Sequence, residues 1–366
     1  MKKFKTFAAL AAVSAMALSA CSGNADTASD SGSGEAAASG SDFKACLVSD
    51  AGGWDDKSFN ESAFNGLKQA ESELGVMINT AESSSDADFA PNTQSMIDDG
   101  CNLVIGIGFN LAAATTAAAQ DNPDLEFGLV DSTFSDADGN PVTLDNARPL
   151  LFNTQEAGYL AGYVAAGTTK TGTVATFGGM KIPSVTIFMD GFADGVKAYN
   201  EAKGTEVKVL GWDKDAQEGS FSDTFDDQAK GKTLAEGFIS QGADIIMPVA
   251  GPVGLGAAAA AQAAGDVYIV GVDSDWYEAN PDYGSIVLTS VMKQIGASVM
   301  DTIKAGMDGK FSADPYVGTI ANGGVSIAPF HDLDSMVSDE VKSEVKALQE
   351  KIASGELVVE SPSAVQ

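Results

Sequence analysis

Short, almost wholly apolar runs alternate along this chain with longer stretches in which apolar residues recur every three or four positions. The first kind reads as buried parallel strands and the second as amphipathic helices. Strands are expected at residues 44–49, 76–80, 103–107, 126–130 and 150–153. Between the first two, Phe59, Ala63, Phe64, Leu67, Ala70 and Leu74 share one helical face. Further helices are expected at 86–99 and 111–120, and Asp138-Gly139-Asn140 marks a turn before the fifth strand. A helix at 156–166 opens a second series, with strands at 173–177, 206–210, 245–249 and 267–272 and helices at 182–200, 229–241 and 254–264. A β-α-β-α order that occurs twice is the pattern of α/β layers with parallel sheets in two similar lobes.

A strand at 286–290 and a helix at 293–305 are expected to return to the first lobe, and a last segment, 325–355, to pass back to the second. The expected division is therefore 43–154 plus about 285–322 for lobe 1, and 155–284 plus about 323–366 for lobe 2. A globular part of about 320 residues exceeds one ordinary core. Repeated crossings make a hinge rather than a loose linker.

The first 21 residues read differently. Lys2, Lys3 and Lys5 precede an apolar stretch, 7–18, that is short for a membrane span, as in an export signal. It ends in Leu18-Ser19-Ala20-Cys21, which resembles a lipobox, so Cys21 is expected to be acylated and to become the mature N-terminus. From 22 to 42 the chain is mostly Ser, Gly, Ala and Asp without a large apolar residue, a flexible tether spanning roughly 25 Å. The expected location is outside the cytoplasm, lipid-anchored to the cell membrane.

Composition narrows the partner. The formal charge of −30 excludes a nucleic-acid polymer. Arg148 is the single arginine, whereas phosphate and amino-acid carboxylate sites usually use a bidentate arginine. A neutral, hydroxyl-rich ligand fits better.

The expected strand ends share one chemistry. Asp50, Gly106-Ile107-Gly108-Phe109 and Asp131 end strands of the first series. Phe177-Gly178-Gly179, Gly211-Trp212, Ala250-Gly251-Pro252 and Asp273-Ser274-Asp275-Trp276 end strands of the second. In open α/β sheets ligands bind at carboxyl ends of strands, so these groups are expected to face one interlobe cleft. Carboxylates accept from hydroxyls and aromatic rings offer a face to a base. Asp131 and Asp273 also suit turn or helix caps, and Phe59 suits a core. Trp54, Phe109, Asp275 and Trp276 are candidates to flank the ligand, an exposed loop position being the alternative for the two tryptophans.

Support for catalysis is thin. The single histidine, His331, falls in a late loop away from every strand-end motif. Gly231-Lys232-Thr233 lacks the upstream glycine of a phosphate loop, and Gly106-x-Gly108 lacks the third glycine of a dinucleotide fingerprint. No metal-ligand spacing occurs, and no cofactor is expected.

One stretch, Asp50 to Ser62, carries more. Its wording, D-x-GG-x-DDKSFN-x-S, resembles the opening motif of the basic-membrane-protein (PnrA-like) family of ABC-importer solute-binding lipoproteins, and the resemblance runs from about Lys44 to Val359. It implies a type I periplasmic-binding fold, no enzymatic activity, a nucleoside ligand, an ABC permease as partner and a monomer. It also implies roles. Phe59 and Phe225 would sandwich the base, the latter within FDDQAKGK, where Gln228 stands in place of the family's usual proline. Asn60 and Asp131 would meet the base edge, and Asp50, Gly251, Asp273 and Lys293 the ribose side. A sugar-binding protein and an extracellular nucleoside-processing enzyme are the alternatives. Cys46 and Cys101, near the starts of neighbouring strands, form either a disulfide or two buried thiols.

Overall fold

The computed structural model describes residues 42–364. The expected signal peptide, Cys21 and all of the tether before Asp42 lie outside the described residues. The chain runs β1 (Lys44–Val48), α1 (Phe59–Leu74), β2 (Met77–Ala81), α2 (Asp86–Asp98), β3 (Leu103–Ile107), α3 (Ala112–Asp121), β4 (Glu126–Val130), β5 (Ala147–Phe152) and α4 (Thr154–Thr168). It continues with β6 (Thr173–Gly178), α5 (Pro183–Lys203), β7 (Lys208–Leu210), the small hairpin β8 (Trp212–Asp213) and β9 (Glu218–Gly219), α6 (Gln228–Ser240), β10 (Ile245–Val249), α7 (Val253–Ala264) and β11 (Tyr268–Asp273). The last elements are α8 (Trp276–Ala279), β12 (Val287–Lys293), α9 (Ile295–Met307), β13 (Tyr316–Gly318), β14 (Val325–Ile327) and α10 (Asp339–Ala353).

One sheet has the order β2-β1-β3-β4-β5-β13 and is parallel throughout. The other has the order β7-β6-β10-β11-β12-β14, with only β14 antiparallel. Strand direction explains the apolar runs: helices cover both faces, so Ala45 to Val48 and Ile245 to Met247 have essentially no exposed surface. In each sheet the order reverses beside its first strand along the chain, β1 or β6, which opens a crevice at the carboxyl ends.

One expectation is corrected. The strand placed at 286–290 extends to Lys293 and pairs with β11 in the second sheet, not with the first lobe. Ending it at 290 would strip the paired backbone of Val291 and Met292 of its partners on Val272 and Asp273. Lys293, placed at a helix start by its sequence, is the last residue of that strand. The return to the first half begins only with α9, which crosses α1 so closely that a Cβ on Gly66 would lie 2.2 Å from the Gly296 carbonyl oxygen.

The chain crosses between the sheets three times: after β5, after β12 and between β13 and β14. These crossings bond to one another. Asn153 N donates to Gly318 O at 2.7 Å, Gln294 N to Gly324 O at 2.9 Å and Ile320 N to Glu156 Oε2 at 2.7 Å. Cys46 and Cys101 form a disulfide with their Cα atoms 6.0 Å apart, tying β1 to the approach to β3. Among the described residues no helix is long and apolar enough to cross a membrane.

Candidate ligand-binding site

The carboxyl ends of the two sheets face each other across a cleft of about 590 Å³, counting its open mouth. Asp50, Phe59, Asn60, Phe109 and Asp131 line it from the first half, and Phe225, Gly251, Asp273 and Lys293 from the second. All eight residues expected to bind ligand are thus brought together, with Phe109 of the four flanking candidates.

Charge organises its floor. Asp131 follows β4 and Asp273 ends β11, and both have left-handed backbone, φ 60° and 68°. Aspartate tolerates that region better than most residues, and strained backbone of this kind concentrates at functional sites. Lys293, at the end of β12, lies between them. Its ammonium contacts Asp131 and sits 2.9 Å from Asp273 Oδ1, with all three side chains nearly free of solvent. Burial works against the lysine's charge, but the two carboxylates outweigh it and hold the ammonium above the ordinary lysine range. Burial pushes Asp131 up, against the pull of Lys293. The expected division of Asp131 to a base edge and Lys293 to a ribose side therefore falls within one ion-bonded group.

A second polar pair lies on the β1 side. Asn60 Nδ2 donates to Asp50 Oδ1 at 2.7 Å, and Gly52 N donates to the same oxygen at 3.2 Å. An amide facing a carboxylate must present its N–H, which leaves Asn60 Oδ1 as a buried acceptor with no partner among the described residues. Asp56 caps α1, accepting from the backbone N–H groups of Ser58, Asn60 and Glu61 at 2.8–3.0 Å, and also lines the cleft. Burial nevertheless pushes it up to about 6. Arg148 is remote from all of this, its Nε on the Asp314 carbonyl. Four carboxyls and one ammonium make a floor that repels anions and welcomes neutral donors.

The apolar wall is built by close backbone approach. Gly158 and Gly162 of α4 let α5 press in until a Cβ at Gly162 would lie 2.1 Å from Phe192 O, which sets Phe188 into the cleft. The Lys293 ammonium lies 4.8 Å from the Phe59 ring centre and 5.0 Å from that of Phe188. Phe225 rests on Gly179, where a Cβ would come within 2.3 Å of its ring. The Gln228 departure leaves this placement intact: α6 begins at Gln228, with Asp227 accepting from Ala229 N. Phe188 was not foreseen, because in TIFMDGF it reads as one more core residue of a helix.

Three flanking candidates lie elsewhere. Trp54 stacks on Phe64 at 5.5 Å. Trp276 is 1 % exposed and donates its indole N–H to Val272 O, filling space left by Gly254 and Gly271. Asp275 caps α8 and bonds His331 Nε2 at 2.7 Å. The histidine expected far from every strand-end motif therefore braces one of them, stacked on Tyr277 at 4.0 Å.

The buried acids fix a sign for stability against pH. A carboxyl whose pKa is higher folded than unfolded holds its proton more tightly when folded, so stability falls as pH rises through that interval. For Asp56 the interval runs from 3.8 to about 6. Asp50, Asp131, Glu126 and Glu156, all raised first by burial, act in the same sense. Denaturant titration of the ligand-free protein should give higher stability at about pH 5 than at about pH 7, by about 1 kcal/mol from Asp56 alone. Lower stability at the acid value would refute this reading of the floor.

Residues 43–363 match the family model for ABC transporter substrate-binding protein PnrA-like. The chain belongs to this family. It is 34% identical to the ABC transporter nucleoside-binding protein BmpA of Lactococcus lactis subsp. cremoris, over 96% of this chain and 98% of that one. It is 31% identical to Basic membrane protein A of Borreliella burgdorferi, with 87% and 88% covered. Among solved structures, an ABC transporter solute-binding protein from Aeropyrum pernix K1 superposes with a TM-score of 0.77 at 24% identity, over 87% of this chain and 94% of that one. That likeness fixes the fold as the periplasmic solute-binding type. PnrA-like proteins are substrate-binding components of transporters rather than enzymes, so this chain is an extracytoplasmic receptor for a small molecule that works with a membrane permease.

Proposed function

We propose that this PnrA-like protein binds a nucleoside between its two sheets, is held to the membrane through a lipidated Cys21, and delivers its cargo to the permease. The observation that carries the ligand class is the convergence, from both sheets, of two aromatic rings and hydrogen-bond acceptors on one anion-repelling cleft. Phe59 and Phe225 supply π-faces for a base. The free Asn60 Oδ1 and the Asp131 carboxylate are acceptors for base N–H groups, while Asp50 and Asp273 suit ribose hydroxyls. The nucleoside-binding name of the Lactococcus relative points the same way.

Bonds across the cleft give a mechanism of closure. Ser58 Oγ lies 3.0 Å from Asp273 Oδ2, and Ser274 Oγ donates to Lys57 O at 3.2 Å. Ligand contacts from both sides add to these and favour the closed form, which the permease engages. Calorimetric titration with purine and pyrimidine nucleosides, ribose and a nucleoside monophosphate tests the reading. Nucleosides should bind, with ribose and the monophosphate each weaker by at least about 100-fold, the monophosphate through charge repulsion at the floor. Ribose matching the nucleosides would make this a sugar receptor instead.

A further inference from the structure

Beyond Asp131 the cleft does not end. A second compartment adjoins the first and shares Phe109, Asp131 and Ser184 with it. Its remaining walls come from both halves, chiefly Ser132, Thr133 and Phe152 on one side and Pro183 and Ile187 on the other. The C-terminal segment completes the lining through Pro362, Ser363 and Ala364.

That segment is fastened at several points. Ser361 Oγ donates to Asp190 Oδ2 at 2.6 Å, and Asp190 is itself wholly buried and braced by Trp212 Nε1 and Gln217 Nε2, each at 2.9 Å. Ser363 Oγ lies 2.7 Å from Thr186 Oγ1, and Lys214 Nζ donates to Glu360 O at 2.6 Å. The C-terminal part of the lining is thus fixed in place, while the space itself stays partly open. Thr133 and Ser184 bring hydroxyls to its lining, and neither hydroxyl has a protein partner among the described residues.

We propose that this compartment is a second subsite that takes a polar extension on the edge of the bound base. The proposal rests on the nucleoside reading, which turns the base edge toward Asp131. A substituent on an exocyclic amine there leaves one N–H for the Asp131 carboxylate and carries its chain past that residue into the hydroxyl-lined space. The ligand class so defined is purine nucleosides bearing a short hydroxyalkyl group on the 6-amino nitrogen.

Calorimetry with adenosine and its N6-hydroxyethyl derivative tests this on the full-length protein and on Thr133→Trp. Thr133 is exposed at the compartment wall and lies outside the set assigned to the unextended ligand. The native protein should bind both nucleosides within about threefold of each other. The indole should weaken the extended one by at least about tenfold, the effect of overpacking a formed space, and leave adenosine unchanged. Ile187→Phe, which fills the compartment from the opposite wall, should do the same. Rejection of the extended nucleoside by the native protein, or equal weakening of both ligands in either variant, overturns the subsite. Failure of adenosine itself to bind the native protein overturns the nucleoside reading, and this proposal with it.

Discussion

Replacing Lys293 by methionine is expected to destabilise the ligand-free protein by about 3–5 kcal/mol, because it strands two buried carboxylates. Asp131 and Asp273 are held at strand ends in left-handed conformations, with their side chains nearly free of solvent. Without the ammonium the two carboxyls face each other with nothing to offset their charge. The deficit should therefore shrink on acidification, as protonation replaces the missing cation. Adding Asp131→Asn should recover part of the loss, since the surviving Asp273 then meets an amide that can donate to it. Denaturant titrations of the native protein, the single variant and the double variant decide it. A loss under about 1 kcal/mol, the worth of a surface pair, would show that the trio is solvated and structurally idle.

Removing both rings, Phe59→Ala with Phe225→Ala, should weaken nucleoside binding by roughly 10²–10⁴-fold, since stacking contributes about 1–3 kcal/mol per ring. The single variants separate two effects. Phe59 also lies under the Lys293 ammonium, so its loss should lower thermal stability as well as affinity. Phe225 is half-buried on Gly179 and at the edge of the core, and among the described residues it lies under no ammonium, so its loss should fall more on affinity than on stability. If both single variants keep the native dissociation constant within about twofold, base stacking is not the source of affinity.

The fold was legible where physical constraints leave a plain trace in the chain. Parallel strands buried on both faces are short and uniformly apolar, and Asp50, Asp131 and Asp273 stand out because each follows such a run. The junction at Lys293 was hidden for the same reason. From Val287 to Met300 the residues stay largely apolar, so strand and helix periods overlap, and only pairing with β11 decides where one stops. Trp276 reads as a flanking or an exposed loop residue and is neither, since nothing local reveals that Gly254 and Gly271 leave a slot for its indole inside. Phe188 went unseen from the opposite cause. It occupies a helix whose apolar face has two uses, one against α4 and one toward the cleft. Asp56 caps α1, a role that its place just before the helix already suggests, but its second position in the lining depends on how far α1 reaches into the gap.

The ion-bonded trio has a kinetic meaning as well. Lys293 and Asp273 belong to one sheet and Asp131 to the other, so parting the halves pulls apart opposite charges in a dry space. The first water to enter raises the local dielectric and weakens the very attraction that resists further parting. Resistance is therefore greatest at the outset and collapses once breached. With three chain crossings confining the motion to a swing, release should resemble the snap of a clasp rather than a gradual yawning, and a transporter need supply only the initial pull.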